Sequence, residues 1–448
     1  MGVVQRTWGR GGSEHVRARA AGRGPVVGLS VAPASALALV LTALALSGCD
    51  LLTPDGLPPE ARLDGTIEGM TDSQVRQHLA GDEEFARRFS VSDGLGPIFV
   101  ATSCEQCHVG DGKGHPAFDL TRFGRAGAAG FDPLVELGGP QLQHRSIPGY
   151  PPEEVPGVAT GVTRLTPPAV SGLGFLDAVD DATLIALADP GDADGDGISG
   201  RLQLLGPTEL IETVLVLEAQ AALAPGARGN RVDGRYIGRF GKKALSVNLL
   251  HQTAVAYHQD MGITSDLLTE DVFNPAAGTR ASDEVADPEV SSSTVANVVF
   301  YLKTLRAPPR RGGSDPDVLA GEALFEAIGC ARCHVPTLRT GRSEIAVLDR
   351  VEFHPYTDLL LHDMGPGLDD GYTEGGAVAS EWRTPPLWGL GIQQNFQGGA
   401  TFLMHDGRAR TPREAIELHG GEAAASRAAF LGLSEEGQDS LIRFLLSL

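Results

Sequence analysis

Apolar residues recur at helical spacing in several separate stretches of the chain. The first spans residues 72–89. LDAVDDATLIALAD (176–189), TELIETVLVLEAQAALA (208–224) and LSVNLLHQTAVAYHQDMG (245–262) continue the series. Each predicts a helix. DVLAGEALFEAIG predicts another, closed by Gly329. Thr411-Pro412-Arg413-Glu414 reads as a capping box with proline at the first helical position, so a helix starts at Pro412 and stops at Gly420-Gly421. Ser434 caps the last periodic segment, SEEGQDSLIRFLLSL. No convincing strand alternation and no short-period repeat is visible, which predicts a mostly α fold. Residues 50–70 are rich in Pro and Gly and lack apolar periodicity, as a tether would. RAPPRRGGSDPD (306–317) is the clearest linker, and PGYPPEEVPG (148–157) reads as a surface excursion.

Composition adds loops and removes one class of partner. The 448 residues include 58 Gly and 29 Pro. Lys and Arg total 36 against 57 Asp and Glu, a net charge of −21. A nucleic-acid binder needs a basic face for phosphates, so that class is excluded. The N-terminus is different in kind. Residues 1–23 carry five arginines and one acid, Glu14, ahead of an apolar run from Val31 to Leu46. That run is short for a membrane span and suits a signal-peptide core. It ends in Leu46-Ser47-Gly48-Cys49, which resembles a bacterial lipobox, so Cys49 is the expected lipidation site and residues 1–48 the signal peptide. The alternative is an ordinary secretory signal with a chance cysteine. Export places the chain on the periplasmic or cell-surface side, anchored to a membrane, with its other cysteines outside the reducing cytosol.

Those four cysteines form two Cys-x-x-Cys-His blocks, SCEQCHV at 103–109 and GCARCHV at 329–335. Three chemistries use Cys-x-x-Cys. A redox dithiol does not require the histidine. A structural zinc site joins two such pairs at short spacing, not hundreds of residues apart. Covalent attachment of haem c uses all three residues: the thiols bond to the porphyrin and the histidine reaches the iron. One helical turn brings both sulfurs and the imidazole to one porphyrin. The expectation is two covalently bound haems, held by Cys104, Cys107 and His108 and by Cys330, Cys333 and His334. With them comes an architecture of two cytochrome c-like haem domains with long loops, at 71–307 and 308–448. A tether at 49–70 precedes both. Covalent haem also accounts for the low aromatic content of 6%, since porphyrin supplies core.

Several longer blocks carry a resemblance. GPIFVATSCEQCHVGDGKG, GLGFLDAVDDATLIALADPGDADGDGISGR, DMGITS, YTDLLLHDMGPGLDDG, EWRTPPLWGLG and HDGRARTPREAIELHGGEA together resemble the bacterial di-haem oxidoreductases. These are relatives of di-haem cytochrome c peroxidase and of the di-haem enzyme that matures methylamine dehydrogenase. The resemblance runs from about Gly96 to Leu448. It implies that the C-terminal haem relays electrons and that the N-terminal haem meets peroxide. In the peroxidases a methionine at the end of the helix after the HDG motif is the sixth ligand of the relay haem; in the methylamine enzyme it is a tyrosine. The matching position here is His419, with Met364 and then Met404 as the alternatives, and a surface histidine at a helix end as the plain reading. For the first haem the resemblance places His251 and Gln252 near the distal face, with His115 and His144 as other candidates and core packing as the plain reading of His251. The label "thiol oxidoreductase", used for similar chains, finds no support, because all five cysteines are accounted for.

DPGDADGDGISG adds one candidate metal site. Asp192, Asp194 and Asp196 with Gly197 fit the first half of an EF-hand calcium loop, but position twelve is Gln203 rather than glutamate. The alternative is an acidic turn. The expected activity is a peroxidase-like oxidoreductase fed by an electron-donor protein or small redox carrier. The rivals are a non-catalytic electron-transfer cytochrome and a redox partner in surface iron handling.

Overall fold

Thr71 opens the first helix, α1 (Asp72–Ala86), with a full capping box: its hydroxyl accepts from Gln74 N–H and the Gln74 side chain accepts from Thr71 N–H. The computed structural model describes residues 58, 61–128, 130–220, 229–278, 283 and 285–448. All of them belong to one compact unit, Leu57–Leu448. Cys49 and the signal segment lie outside the described residues. Among the described residues no helix is long and apolar enough to cross a membrane. Within the stretch read as a tether, Leu63 and Ile67 are buried and Ile67 N–H donates to Thr304 O, so its second half is packed.

The helices follow in order as α2 (Cys104–Cys107), α3 (Leu173–Asp177), α4 (Asp181–Leu187), α5 (Glu209–Gln220) and α6 (Leu249–Met261). Then come α7 (Ser292–Thr304), α8 (Pro316–Ala327), α9 (Pro412–Leu418), α10 (Ala424–Leu431) and α11 (Glu435–Ser447). Two antiparallel-type helix pairings organise them. α1 packs on α7, and α8 packs on α11. Each crossing is close enough to require glycine. A Cβ at Gly81 would lie 2.2 Å from Asn297 O, and one at Gly321 would lie 2.0 Å from Ser440 O. Two apolar clusters result. One gathers Phe85, Phe89, Tyr257, Val295, Val298 and Tyr301, with Cys104 against it. The other gathers Val318, Phe325, Phe430, Leu441 and Phe444, with Cys330 against it.

The mostly α, cytochrome-like fold expected from periodicity is overturned. Helix makes up 37% of the protein and strand 14%, in several small sheets. One sheet orders β3 (Gly130–Asp132), β2 (Leu120–Gly127) and β5 (Gly161–Leu165). Another orders β6 (Gln203–Leu205), β8 (Arg235–Gly238) and β7 (Arg231–Val232). Two-stranded pairs join β1 (Ile98–Phe99) to β4 (Arg145–Ser146), β9 (Leu338–Arg339) to β10 (Glu352–Phe353), and β11 (Leu361–Asp363) to β12 (Glu381–Arg383). The physical reason is visible in β5. GVTRL alternates buried and exposed, but two of its inward residues are Gly161 and Thr163. Five residues with a polar inner face leave no hydrophobic alternation to read.

Candidate functional site

The two CxxCH blocks adopt nearly the same turn. Ser103 caps α2 by accepting from Gln106 N–H, and His108 N–H donates to Cys104 O at 3.0 Å. In the second block His334 N–H donates to Cys330 O, also at 3.0 Å. One turn thus returns each histidine over its first cysteine. The C-terminus of α6 positions the first block. Its last carbonyls, which lack partners within the helix, accept from the segment ahead of the motif: Asp260 O from Val100 and Ala101 N–H, Met261 O from Gly96 N–H.

Both imidazoles are aimed by a backbone carbonyl. His108 Nδ1 lies 2.8 Å from Pro168 O, and His334 Nδ1 lies 2.9 Å from Tyr356 O. Each Nδ1 therefore carries the proton, and each Nε2 keeps its lone pair for a metal. Tyr356 holds its carbonyl there from a left-handed φ of 55°, a conformation that costs a non-glycine residue energy. Burial pushes both histidines down to about 4, which keeps them neutral. The thiols move the other way. Burial pushes Cys104, Cys107 and Cys330 up to about 12, and raises Cys333 as well. A redox dithiol needs the opposite shift. Cys104 and Cys330 also sit on different apolar clusters. Among the described residues no metal-spaced group includes a cysteine. Dithiol and shared-zinc readings both lose their footing.

His419 lies across from His334. It ends α9, whose cap forms as the sequence implies, with Thr411 accepting from Glu414 N–H at 3.1 Å. His419 Nδ1 lies 2.6 Å from Ala415 O, so its Nε2 is also left free. Burial lowers it too. The centres of the two rings are 6.5 Å apart. Two imidazoles bound to opposite sides of one metal at about 2 Å each put their ring centres about 6.4 Å apart. The spacing of the two rings therefore fits a metal ion held between them. Gly421 makes this placement possible: a Cβ there would fall 2.1 Å from Asp363 O. Phe325, 6.4 Å from the His334 ring, packs with Tyr356 and Phe444 to close one side.

Met364 and Met404 both pack against the cluster of Leu165, Leu368 and Trp382, and Met404 also packs on the cluster that holds Cys330. His115 Nδ1 accepts from Ala117 N–H and its ring meets Phe402 edge-on at 4.6 Å. His144 is exposed. His251 is buried at the first turn of α6, where its Nδ1 faces Val247 N–H at 3.4 Å and burial lowers it to about 4. Gln252 is half-buried beside it. The end of α6 that reaches the first CxxCH is the other one, with Tyr257 and Asp260. Six residues separate His251 from Tyr257, about 9 Å along the axis. Among the described residues no imidazole faces His108 as His419 faces His334; its ring neighbour is Phe85, at 6.1 Å.

Asp192, Asp194 and Asp196 bring carboxylate oxygens within 4.8 Å of one another. Asp196 is already engaged by Arg332, at 3.1 Å, so this loop docks on the second CxxCH. Asp271, Asp287 and Glu289 form a second such group. Sequence reasoning also missed two residue sets near the thiols. Asp260, which Gln141 Nε2 contacts at 2.6 Å, is raised to about 6 by burial and bears electrostatically on Cys104 and Cys107. His362 stands 3.5 Å from Cys333 Sγ, between Asp358 and Glu422. The HDMG motif pointed to this turn through its methionine; the residue that meets the site is its histidine.

A family described as "Di-haem oxidoreductase, putative peroxidase" matches residues 157–448. The matched stretch contains the second CxxCH and His419; the first CxxCH precedes it. No curated protein matches the chain.

Proposed function

The chain belongs to the di-haem oxidoreductase family, and on that footing we propose an exported di-haem c-type enzyme that reduces a peroxide-like oxidant. Residues 71–307 hold one haem through Cys104, Cys107 and His108. Residues 308–448 hold the other through Cys330, Cys333 and His334, with His419 as the sixth ligand. Haem at these two sites would supply one-electron chemistry, and the proposed division gives the C-terminal site to the electron donor, a protein or small carrier, and the N-terminal site to the oxidant. The chain's own residues set that division. The His334–His419 ring spacing of 6.5 Å, with both Nδ1 atoms held by carbonyls, is the observation that carries the reading. His334 and His419 would both hold the C-terminal haem iron, which would reserve that site for electron transfer. His108 would hold the N-terminal haem iron, and among the described residues no second imidazole faces it, which supports that haem as the one to meet the oxidant. Neutral imidazoles at all three positions keep the ligand lone pairs available at physiological pH.

The test is haem count and carbon monoxide binding. The wild type should hold two haems per chain by pyridine haemochrome assay, and the Cys330→Ala/Cys333→Ala variant one. The reduced wild type should bind carbon monoxide at one haem. Two haems left in the double variant would refute covalent attachment. No carbon monoxide binding would turn the protein into an electron carrier.

A further inference from the structure

We infer that His362 is a fixed imidazolium that, with Asp358 and Glu422, sets the reduction potential of the C-terminal haem. The inference rests on the proposed attachment of that haem at Cys333. His362 is 3% exposed and lies on β11. Its Nε2 is 2.8 Å from Asp358 Oδ2 and its Nδ1 is 2.7 Å from Glu422 Oε2. A neutral imidazole has one N–H and can satisfy only one of these acceptors; two carboxylates require two N–H donors, hence the cation. The same Nδ1 side faces Cys333 Sγ at 3.5 Å.

The carboxylates are themselves held. Asp358 is 2% exposed, and its Oδ1 accepts from Leu360 N–H at 2.9 Å. Glu422 accepts from Ser199 N–H and Oγ and from Asp363 N–H. Glu422 is placed by the turn that follows His419, so one short segment delivers both the ring across from His334 and the carboxylate that charges His362. Hydrogen bonds to the two carboxylates and to Cys333 outweigh burial and raise His362 to about 12, while the charge bears on His334 as well.

The signs follow from electrostatics. Reduction adds an electron at the iron. A cation nearby favours the reduced form and an anion disfavours it, strongly where burial limits screening. His362 is the member that meets the sulfur, and it lies between the two carboxylates. Removing its charge should lower the potential, and removing either carboxylate's charge should raise it. A residue serving only to pack the turn would not give shifts of opposite sign within one cluster. His362 is thus a positioning residue for charge, acting through Cys333 without touching the reacting atoms.

The experiment is a redox titration of the full-length holoprotein, with the low-spin haem read separately from the other. His362→Gln should lower the low-spin potential by about 59 mV, a tenfold change in the one-electron equilibrium. Glu422→Gln and Asp358→Asn should each raise it, and the other haem should not move. If His362→Gln does not fold, the two carboxylate variants carry the test alone. A wild type with fewer than two haems would remove the underlying reading. Two haems with unchanged potentials in the variants, or shifts of one common sign, would overturn the role of His362 and leave that reading intact.

Discussion

His108, His334 and His419 each have Nδ1 bonded to a backbone carbonyl, but they stand in two arrangements, and the proposed division of labour rests on that difference. His334 has a partner ring and His108 has none among the described residues. Bis-imidazole ligation lowers an iron's potential relative to histidine–methionine ligation, because a thioether favours the ferrous state. His419→Ala should therefore leave haem content unchanged, turn one low-spin haem high-spin and open it to carbon monoxide. His419→Met should raise that haem's potential. Absorption and electron paramagnetic resonance spectra check both. Unchanged spin states in His419→Ala would reduce His419 to a helix-end residue bonded to Ala415, and a methionine–iron band already present in the wild type would move the ligand to Met364 or Met404.

Helix pairs carry the two CxxCH blocks, and the crossings depend on glycine. α8 ends directly before Gly329 and Cys330, so its packing on α11 fixes where the second block starts. At Gly321 an added Cβ would sit 2.0 Å from the Ser440 carbonyl, a backbone atom that cannot swing away. Alanine has the better helix propensity by about 1 kcal/mol. Overpacking costs about 1–3 kcal/mol, and here the clash with main chain puts the cost at the upper end. Gly321→Ala should destabilise the holoprotein by about 1–2 kcal/mol net in denaturant titration. A variant as stable as the wild type would mean that the α8–α11 crossing relaxes freely. The matching contact of Gly81 with Asn297 makes the α1–α7 pair subject to the same rule.

At the scale of the whole molecule, the proposed anchor and the net charge bear on location and partners. Loss of the proposed signal segment, residues 1–48, would leave 31 basic and 56 acidic residues, a strongly acidic body that favours small or basic partners. Among the described residues no helix is long and apolar enough to cross a membrane; the anchor proposed is lipidation at Cys49. Bacterial lipoproteins carry more than one acyl chain, enough for stable anchoring. The haem-bearing chain should fractionate with membranes, and Cys49→Ser should release it or leave it unprocessed. A wild type found wholly in the soluble fraction would end the lipoprotein reading.

What the sequence determined by itself is local. Two CxxCH blocks dictate their own turns through contacts three and four residues apart, and the Thr411 cap, Pro412 and Gly420-Gly421 bound α9 and place His419 at its end. The paired rings of His334 and His419 were legible only through a family resemblance, since nothing local relates positions 85 residues apart. Tertiary structure alone decided the rest. Pro168 holds His108 from 60 residues away, and His362 reaches Cys333 from 29. The family resemblance places His251 near the first CxxCH, and packing decides that it is the Tyr257 and Asp260 end of α6 that contacts this block. The small sheets escaped for the same reason. β2 and β5 pair across a long loop, and their inner faces are too short and too polar to announce themselves. Local hydrogen-bond geometry and covalent spacing are written in neighbouring residues; the groups that aim, charge and cover a site are assembled by packing between distant ones.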